Sequence, residues 1–270
     1  MIRDITIGQY YPAKSIIHKL DPRVKLLATL VYIITLFLAN NYAGYVVAAV
    51  SLLIVVKASK VPIKFILKGL KAIFMLLAIT VIFNLFLTQG EVLVTFWKLT
   101  ITKEGVRTAA FMAIRLVFLI IGSSLMTLTT TPNQLTDGLE KGLSSLKKLH
   151  VPVHEISMMM SIALRFIPIL LEETDKIMKA QAARGADFDN GNIIKKAKSL
   201  IPILVPLFVS AFRRANDLAM AMEARCYYGG EGRTKMKPLK YKNRDRVAYL
   251  LLLLYVALII VSRIVFKNIL

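Results

Sequence analysis

Arg184 and Arg225 close two stretches that read alike, Ala180-Gln181-Ala182-Ala183-Arg184-Gly185 and Ala221-Met222-Glu223-Ala224-Arg225-Cys226. In each, a run of helix-favouring residues gives way to a residue able to turn the chain. An aromatic follows: Phe188 after the first, Tyr227 and Tyr228 after the second. A cation at a helix C-terminus is favoured by the helix dipole. The guanidinium fork also suits carboxylates and helix-end carbonyls on a partner. One such arginine is an ordinary solvated helix end. A matched pair points to two similar docking sites, and so to a partner in two copies or two homologues.

Other residue patterns promise less. His150 and His154 have helical spacing, but Pro152 separates them and no His-Glu-x-x-His order is present. Cys226 is the only cysteine, which excludes an intrachain disulfide and a multi-cysteine metal site. Gly229-Gly230-Glu231-Gly232 lacks the Gly-Lys-Ser/Thr end of a phosphate cradle and reads as a helix stop and hinge. No metal, cofactor or catalytic residue is expected. Arg115 lies in an apolar run, where an ionisable residue either makes a functional contact or snorkels to the interface. Met158-Met159-Met160 could form an adaptable partner surface. Core packing is the commoner use of methionine and the favoured reading.

The elements that position these residues are membrane helices. The 270-residue chain is 56% apolar with a mean hydropathy of +0.62, and its apolar residues come in blocks. That pattern defines a polytopic membrane protein. The net charge of +20 fits cytoplasmic loops loaded with Lys and Arg. No nucleic-acid-binding motif accompanies it.

Spans are expected at about 24–39, 42–56, 70–87, 108–128 and 247–266. Asp21-Pro22 starts the first, as N-cap and first helical residue. Lys57, Lys60, Lys64, Lys68 and Lys71 occur without an acidic residue among them, which places that turn in the cytoplasm. The near-neutral loop 88–105 suits the outside. The amino terminus is then cytoplasmic and the carboxyl terminus external.

Three segments follow: a membrane region at 1–131, a cytoplasmic region at 132–245 and a last membrane helix at 246–270. Residues 132–245 hold 19 Lys+Arg and 12 Asp+Glu, too charged for lipid and too apolar for disorder, so amphipathic helices are expected. The first carries Leu135, Leu139, Leu143, Leu146 and Leu149 as one stripe, with Gly138 and Gly142 allowing close approach. The second runs from Pro152 to Gly185, with a kink or break at Pro168. The third begins near Pro202 or Pro206. Phe208, Ala211, Ala215, Leu218 and Met222 form its packing seam. The fold class is thus all-α, with about five membrane helices and a cytoplasmic set of coupling helices.

At the paired Ala-Arg-Gly and Ala-Arg-Cys ends the chain resembles the transmembrane T-component of energy-coupling factor (ECF) transporters. Further blocks carry the likeness: His18-Lys19-Leu20-Asp21-Pro22-Arg23-Val24-Lys25-Leu26, Thr130-Thr131-Pro132 through Leu139-Glu140, and Arg165-Phe166-Ile167-Pro168 through Lys179 to Gly185. The resemblance implies a subunit of a prokaryotic cell membrane that joins a substrate-binding S-component to two ABC-type ATPases. It implies that Ala183, Arg184, Gly185, Ala224, Arg225 and Cys226 dock the ATPases, which bind the ATP. It also implies that ATPase closure moves the two helices and reorients the S-component, which carries a vitamin or metal ion. Cys226 stands where glycine is common in the family, and a small residue there can still turn the chain. Arg115 and the Met158–Met160 cluster are candidate S-component contacts. The alternative is the permease of a conventional ABC importer, which usually carries one coupling loop; two matched ends in one chain favour the ECF reading.

Overall fold

The structure is a computed structural model that describes residues 10–39, 41–96, 99–144, 149–186, 193–229, 236 and 238–265. Eight helices are described: α1 (Pro22–Leu38), α2 (Tyr42–Ser59), α3 (Ile63–Leu87), α4 (Lys103–Thr129), α5 (Pro132–Gly142), α6 (Val153–Ala183), α7 (Ile193–Glu223) and α8 (Asn243–Val265). Between α3 and α4 lies a two-stranded antiparallel hairpin, β1 (Val92–Phe96) and β2 (Leu99–Thr102), with Val92 opposite Thr102. The loop expected at 88–105 is therefore partly this ribbon. It is tied to α4 by Lys103 N–H on the Glu91 carbonyl and by Glu91 N–H on the Glu104 carboxylate.

Four helices, α2, α4, α6 and α8, are long and apolar enough to cross a membrane, and a bent α3 makes up to five. All five correspond to expected membrane helices except α6, which is the least apolar of the four. The expected first span, α1, is 17 residues long, about 26 Å at 1.5 Å per residue.

By internal contacts the described residues divide into two compact units, one within 10–138 and 239–265 and the other within 139–238. In the first, α1 and α8 run parallel and are pinned at three levels. Asp21 N–H donates to the Asp245 carboxylate (2.9 Å), the Thr35 and Tyr255 hydroxyls share a hydrogen bond (2.8 Å), and Asn41 Nδ2 donates to the Ser262 carbonyl just beyond α1 (3.2 Å). Helix α4 runs the other way. Its last carbonyl, Thr129, accepts from Lys25 Nζ at the start of α1 (2.8 Å). That carbonyl has no helical donor of its own, and a buried cation at a helix C-terminus supplies one.

Local sequence explains the helix starts. Asp21 caps α1 through Arg23 N–H. Thr102 caps α4 through Gly105 N–H. Thr131 and Gln134 exchange side-chain to backbone hydrogen bonds at the start of α5, a capping box with Pro132 as first helical residue. Gly69 lets α3 approach α4 closely: a Cβ there would stand 2.8 Å from Ser124 Oγ.

Several expectations are corrected. α6 is continuous through Pro168, so of the expected kink or break the break does not occur. A proline removes one backbone donor and strains one turn, and the long run of helix formers on both sides carries the helix past it. α7 starts at Ile193, not near Pro202 or Pro206, and contains both prolines. Pro206 cannot donate to the Pro202 carbonyl, and Gln181 Nε2 donates to it instead (3.4 Å). The leucine stripe is not one helix. α5 ends at Gly142, Leu143 and Leu149 are exposed, and Leu146 lies outside the described residues. Of the two glycines, Gly138 abuts Pro22 and Leu26, whereas Gly142 faces open space.

Candidate functional site

The two arginines end helices of the same unit, and the ends are built alike. At the close of α6, Arg184 N–H bonds to Gln181 O, Gly185 N–H to Ala182 O and Ala186 N–H to Gln181 O (3.1, 2.9 and 3.0 Å). At the close of α7, Arg225 N–H bonds to Met222 O, Cys226 N–H to Glu223 O and Tyr227 N–H to Met222 O (3.1, 2.9 and 3.1 Å). Every donor and acceptor of the second end is offset from its counterpart in the first by the spacing of the two arginines. This is the Schellman arrangement, in which a left-handed residue turns the chain back over its last carbonyls. Gly185 takes that conformation with φ +87° and Cys226 with φ +55°.

Both arginines therefore occupy the last position before the turn. Ala183, Arg184, Gly185, Ala224, Arg225 and Cys226 are all exposed. Among the described residues neither guanidinium has an intrachain partner. Phe188, and Gly230 to Gly232 of the glycine run, lie outside the described residues.

The sequence expectation that Cys226 serves in place of glycine has a physical cost attached. A side chain in the left-handed region loses roughly 1–2 kcal/mol to the following carbonyl. Replacing Cys226 by Gly is expected to stabilise this end by about 1 kcal/mol after the entropy of glycine is deducted. Amide exchange at Arg225, Cys226 and Tyr227 would then slow by about fivefold. Unchanged or faster exchange at these amides would refute the strain at this position.

α6 and α7 pack antiparallel. Gln181 meets Pro202, while Glu173 accepts from Ser210 Oγ (2.5 Å) and from Arg214 Nη2 (2.7 Å). Gln181 stands near the end of α6 and Pro202 in the first half of α7. Arg184 thus lies beside the contact, whereas Arg225 lies at the far end of α7. With Gln181 level with Pro202 and Glu173 with Ser210, Arg184 is level with residue 199, so at 1.5 Å per residue the two tips stand about 40 Å apart, at opposite ends of the pair. The sequence reading missed the brace of Glu173, Ser210 and Arg214. Its only signal was an acid on one helix and a base on the next, and many such pairs exist in this charged segment. The expected seam on α7 is in part open: Ala211, Leu218 and Met222 are half-buried, while Phe208 is 63% exposed.

Arg115 is held inside its own unit. Its Nε donates to the Tyr45 hydroxyl (2.9 Å) and its Nη2 to the Ala39 carbonyl (3.4 Å), and it lies over the Phe37 ring. It thus caps the C-terminal end of α1. The favoured reading of the methionines as core does not hold within the chain. Met159 is 59% exposed and Met160 41%: the buried positions of α6 are Val153 and Ser157, Met159 points away from them, and Met160, on the same face as Val153, lies past the end of that contact. His154 accepts no metal set. It pairs with Glu140 (3.1 Å), which also accepts from Ser157 Oγ (2.9 Å). Among the described residues no three His, Cys, Asp or Glu side chains converge on a point that could hold a metal ion.

These features define a multi-pass helical membrane protein with two alike, exposed basic helix ends. Over residues 13–236 it matches the family described as cobalt transport protein, CbiQ. It is 60% identical over 266 residues to the energy-coupling factor transporter transmembrane protein EcfT of Clostridium kluyveri, covering 98% of each chain. To the EcfT of Ruminiclostridium cellulolyticum it is 57% identical over 245 residues, 91% of this chain and 92% of that one. To the EcfT of Bacillus subtilis it is 45% identical over 264 residues, 97% and 100% of the two chains. The chain belongs to this family of transmembrane proteins of energy-coupling factor transporters.

Proposed function

We propose that this protein is the coupling subunit of an ECF-type importer, transmitting the motion of two ATPase subunits to a substrate-binding S-component that takes up a vitamin or metal ion. It is not an enzyme; the ATP is bound by the ATPases. Arg184 and Arg225 each enter a groove on one ATPase, with the adjoining Ala183, Gly185, Ala224 and Cys226 letting the partner approach. The observation that carries this reading is the pair of superposable helix ends, each presenting a guanidinium without an intrachain partner among the described residues. Two equal tips about 40 Å apart suit a pair of motor subunits better than one protein.

The amino terminus and α5 to α7 lie in the cytoplasm. Support comes from the first unit: Lys25 at the start of α1 meets the end of α4, and Asp21 meets the start of α8. The chain thus departs from and returns to one membrane side between Thr130 and Lys242, the side at which α1 begins. Apolar α6 then lies against a membrane partner, with Met159 and Met160 as an adaptable contact to the S-component. Arg115, which caps the opposite end of α1, is a separate candidate contact to the S-component.

The test is purification of the full chain from its native membranes in mild detergent. Two ATPase subunits and an integral membrane binding protein should co-purify. Recovery of the intact chain with no ATPase bound would overturn the reading.

A further inference from the structure

We propose that the turn joining α2 to α3 is a binding site for anionic phospholipid headgroups. Helix α3 bends by 59° between Ile63–Lys71 and Ile73–Leu87, so its first two turns cannot share the direction of the rest. Within that short arm, Ile66 is 3% exposed and packs with Val61, Leu125 and Leu128. At 100° per residue, Lys64, Lys68 and Lys71 fall within an arc of about 60° opposite Ile66, Gly69 and Leu70. All three lysines are exposed, as are Lys57 and Lys60 on the preceding turn.

The arm is therefore anchored by one face and lined by ammonium groups on the other. Its flanks are apolar and open: Ile63 is 64% exposed and Leu67 51% on one side, and Phe65 47% on the other. A soluble partner would leave those flanks in water, whereas a bilayer surface takes both. Apolar flanks enter the acyl region while lysine stems snorkel their charges to headgroup level. Residues 57 to 71 contain no acidic side chain. Among the described residues none of the five ammonium groups has an intrachain partner. Five uncompensated charges beside a membrane helix attract lipid of net negative charge over zwitterionic lipid, whose phosphate is already neutralised by its own cation.

The experiment is native mass spectrometry of the full-length protein released from mixed phosphatidylglycerol and phosphatidylcholine of identical acyl chains. The wild-type chain should retain phosphatidylglycerol over phosphatidylcholine by about fivefold or more. The triple variant K64Q/K68Q/K71Q should retain the two within about twofold. A variant with the same charge loss elsewhere, K176Q/K179Q/K198Q, should keep the wild-type ratio. Equal ratios in the wild type and in K64Q/K68Q/K71Q would overturn the proposal. So would displacement of the bound lipid by soluble glycerol phosphate, which would assign the lysines to free phosphate.

Discussion

Reversing the charge at either helix tip, by Arg184→Glu or Arg225→Glu, is expected to lower substrate uptake by the assembled transporter at least about tenfold while the chain stays folded. Two magnitudes separate these effects. Within the chain, each arginine sits at a helix C-terminus, where exchanging a cation for an anion costs about 0.3–1 kcal/mol. Both side chains are exposed and lack an intrachain partner among the described residues, so little else is lost on folding. At an interface, removing one member of a desolvated charge pair costs about 2–5 kcal/mol, and reversal adds repulsion. Even the lower figure exceeds the energy of a tenfold change in occupancy, about 1.4 kcal/mol.

Arg→Lys offers a graded comparison. It keeps the charge and loses the fork, so an intermediate loss identifies bidentate recognition. The measurement is uptake into vesicles, alongside the yield of the complex and the ATPase rate of the motor pair. Wild-type uptake and complex yield in both reversals would remove the two tips from the mechanism.

The second large effect is on stability. Asp245→Ala should destabilise the first unit by about 2–5 kcal/mol. Asp245 is 1% exposed. One carboxylate oxygen accepts from Asp21 N–H at 2.9 Å and the other from Lys242 N–H at 2.7 Å. These donors come from opposite ends of the chain, so one side chain holds the entry of α1 against the entry of α8. Alanine would leave the Asp21 N–H buried and unserved, at roughly 1–3 kcal/mol, and would remove the cap on the more exposed Lys242 N–H, at about 1 kcal/mol more.

Asp245→Asn keeps one acceptor oxygen and should fall between alanine and wild type. Asp217→Ala, at an exposed position on α7, should change little. Thermal unfolding of the purified full-length protein in one detergent reads all three. An alanine variant that melts with the wild type would show that water or a neighbouring group replaces the carboxylate. Arg23 adds a lateral tie beside this contact: it bonds to Asp21, reaches the Leu239 carbonyl and lies 4.0 Å over the Tyr241 ring.

Residue type and spacing alone fixed the class, most span positions and the repeated Arg-containing ends. These properties are local. Apolar length marks a membrane helix whatever it packs against, and a capping residue acts within one turn of itself. Asp21, Thr131 and Gly185 could be read for that reason, and so could the left-handed role of Cys226.

Other features depend on residues far apart in the chain, and only the tertiary structure decided them. Asp245 meets Asp21 across 224 positions and Lys25 meets Thr129 across 104. Nothing in either neighbourhood names its partner. Pro202 and Pro206 look like helix breakers by themselves, yet α7 runs through both, and Gln181 of α6 serves the carbonyl that Pro206 cannot. The three methionines have the composition of a core, and only the structure shows that burial on α6 stops at Ser157 and leaves Met159 and Met160 exposed. Burial and long-range pairing are properties of the assembled fold, because a side chain's free energy depends on which surfaces remove it from water.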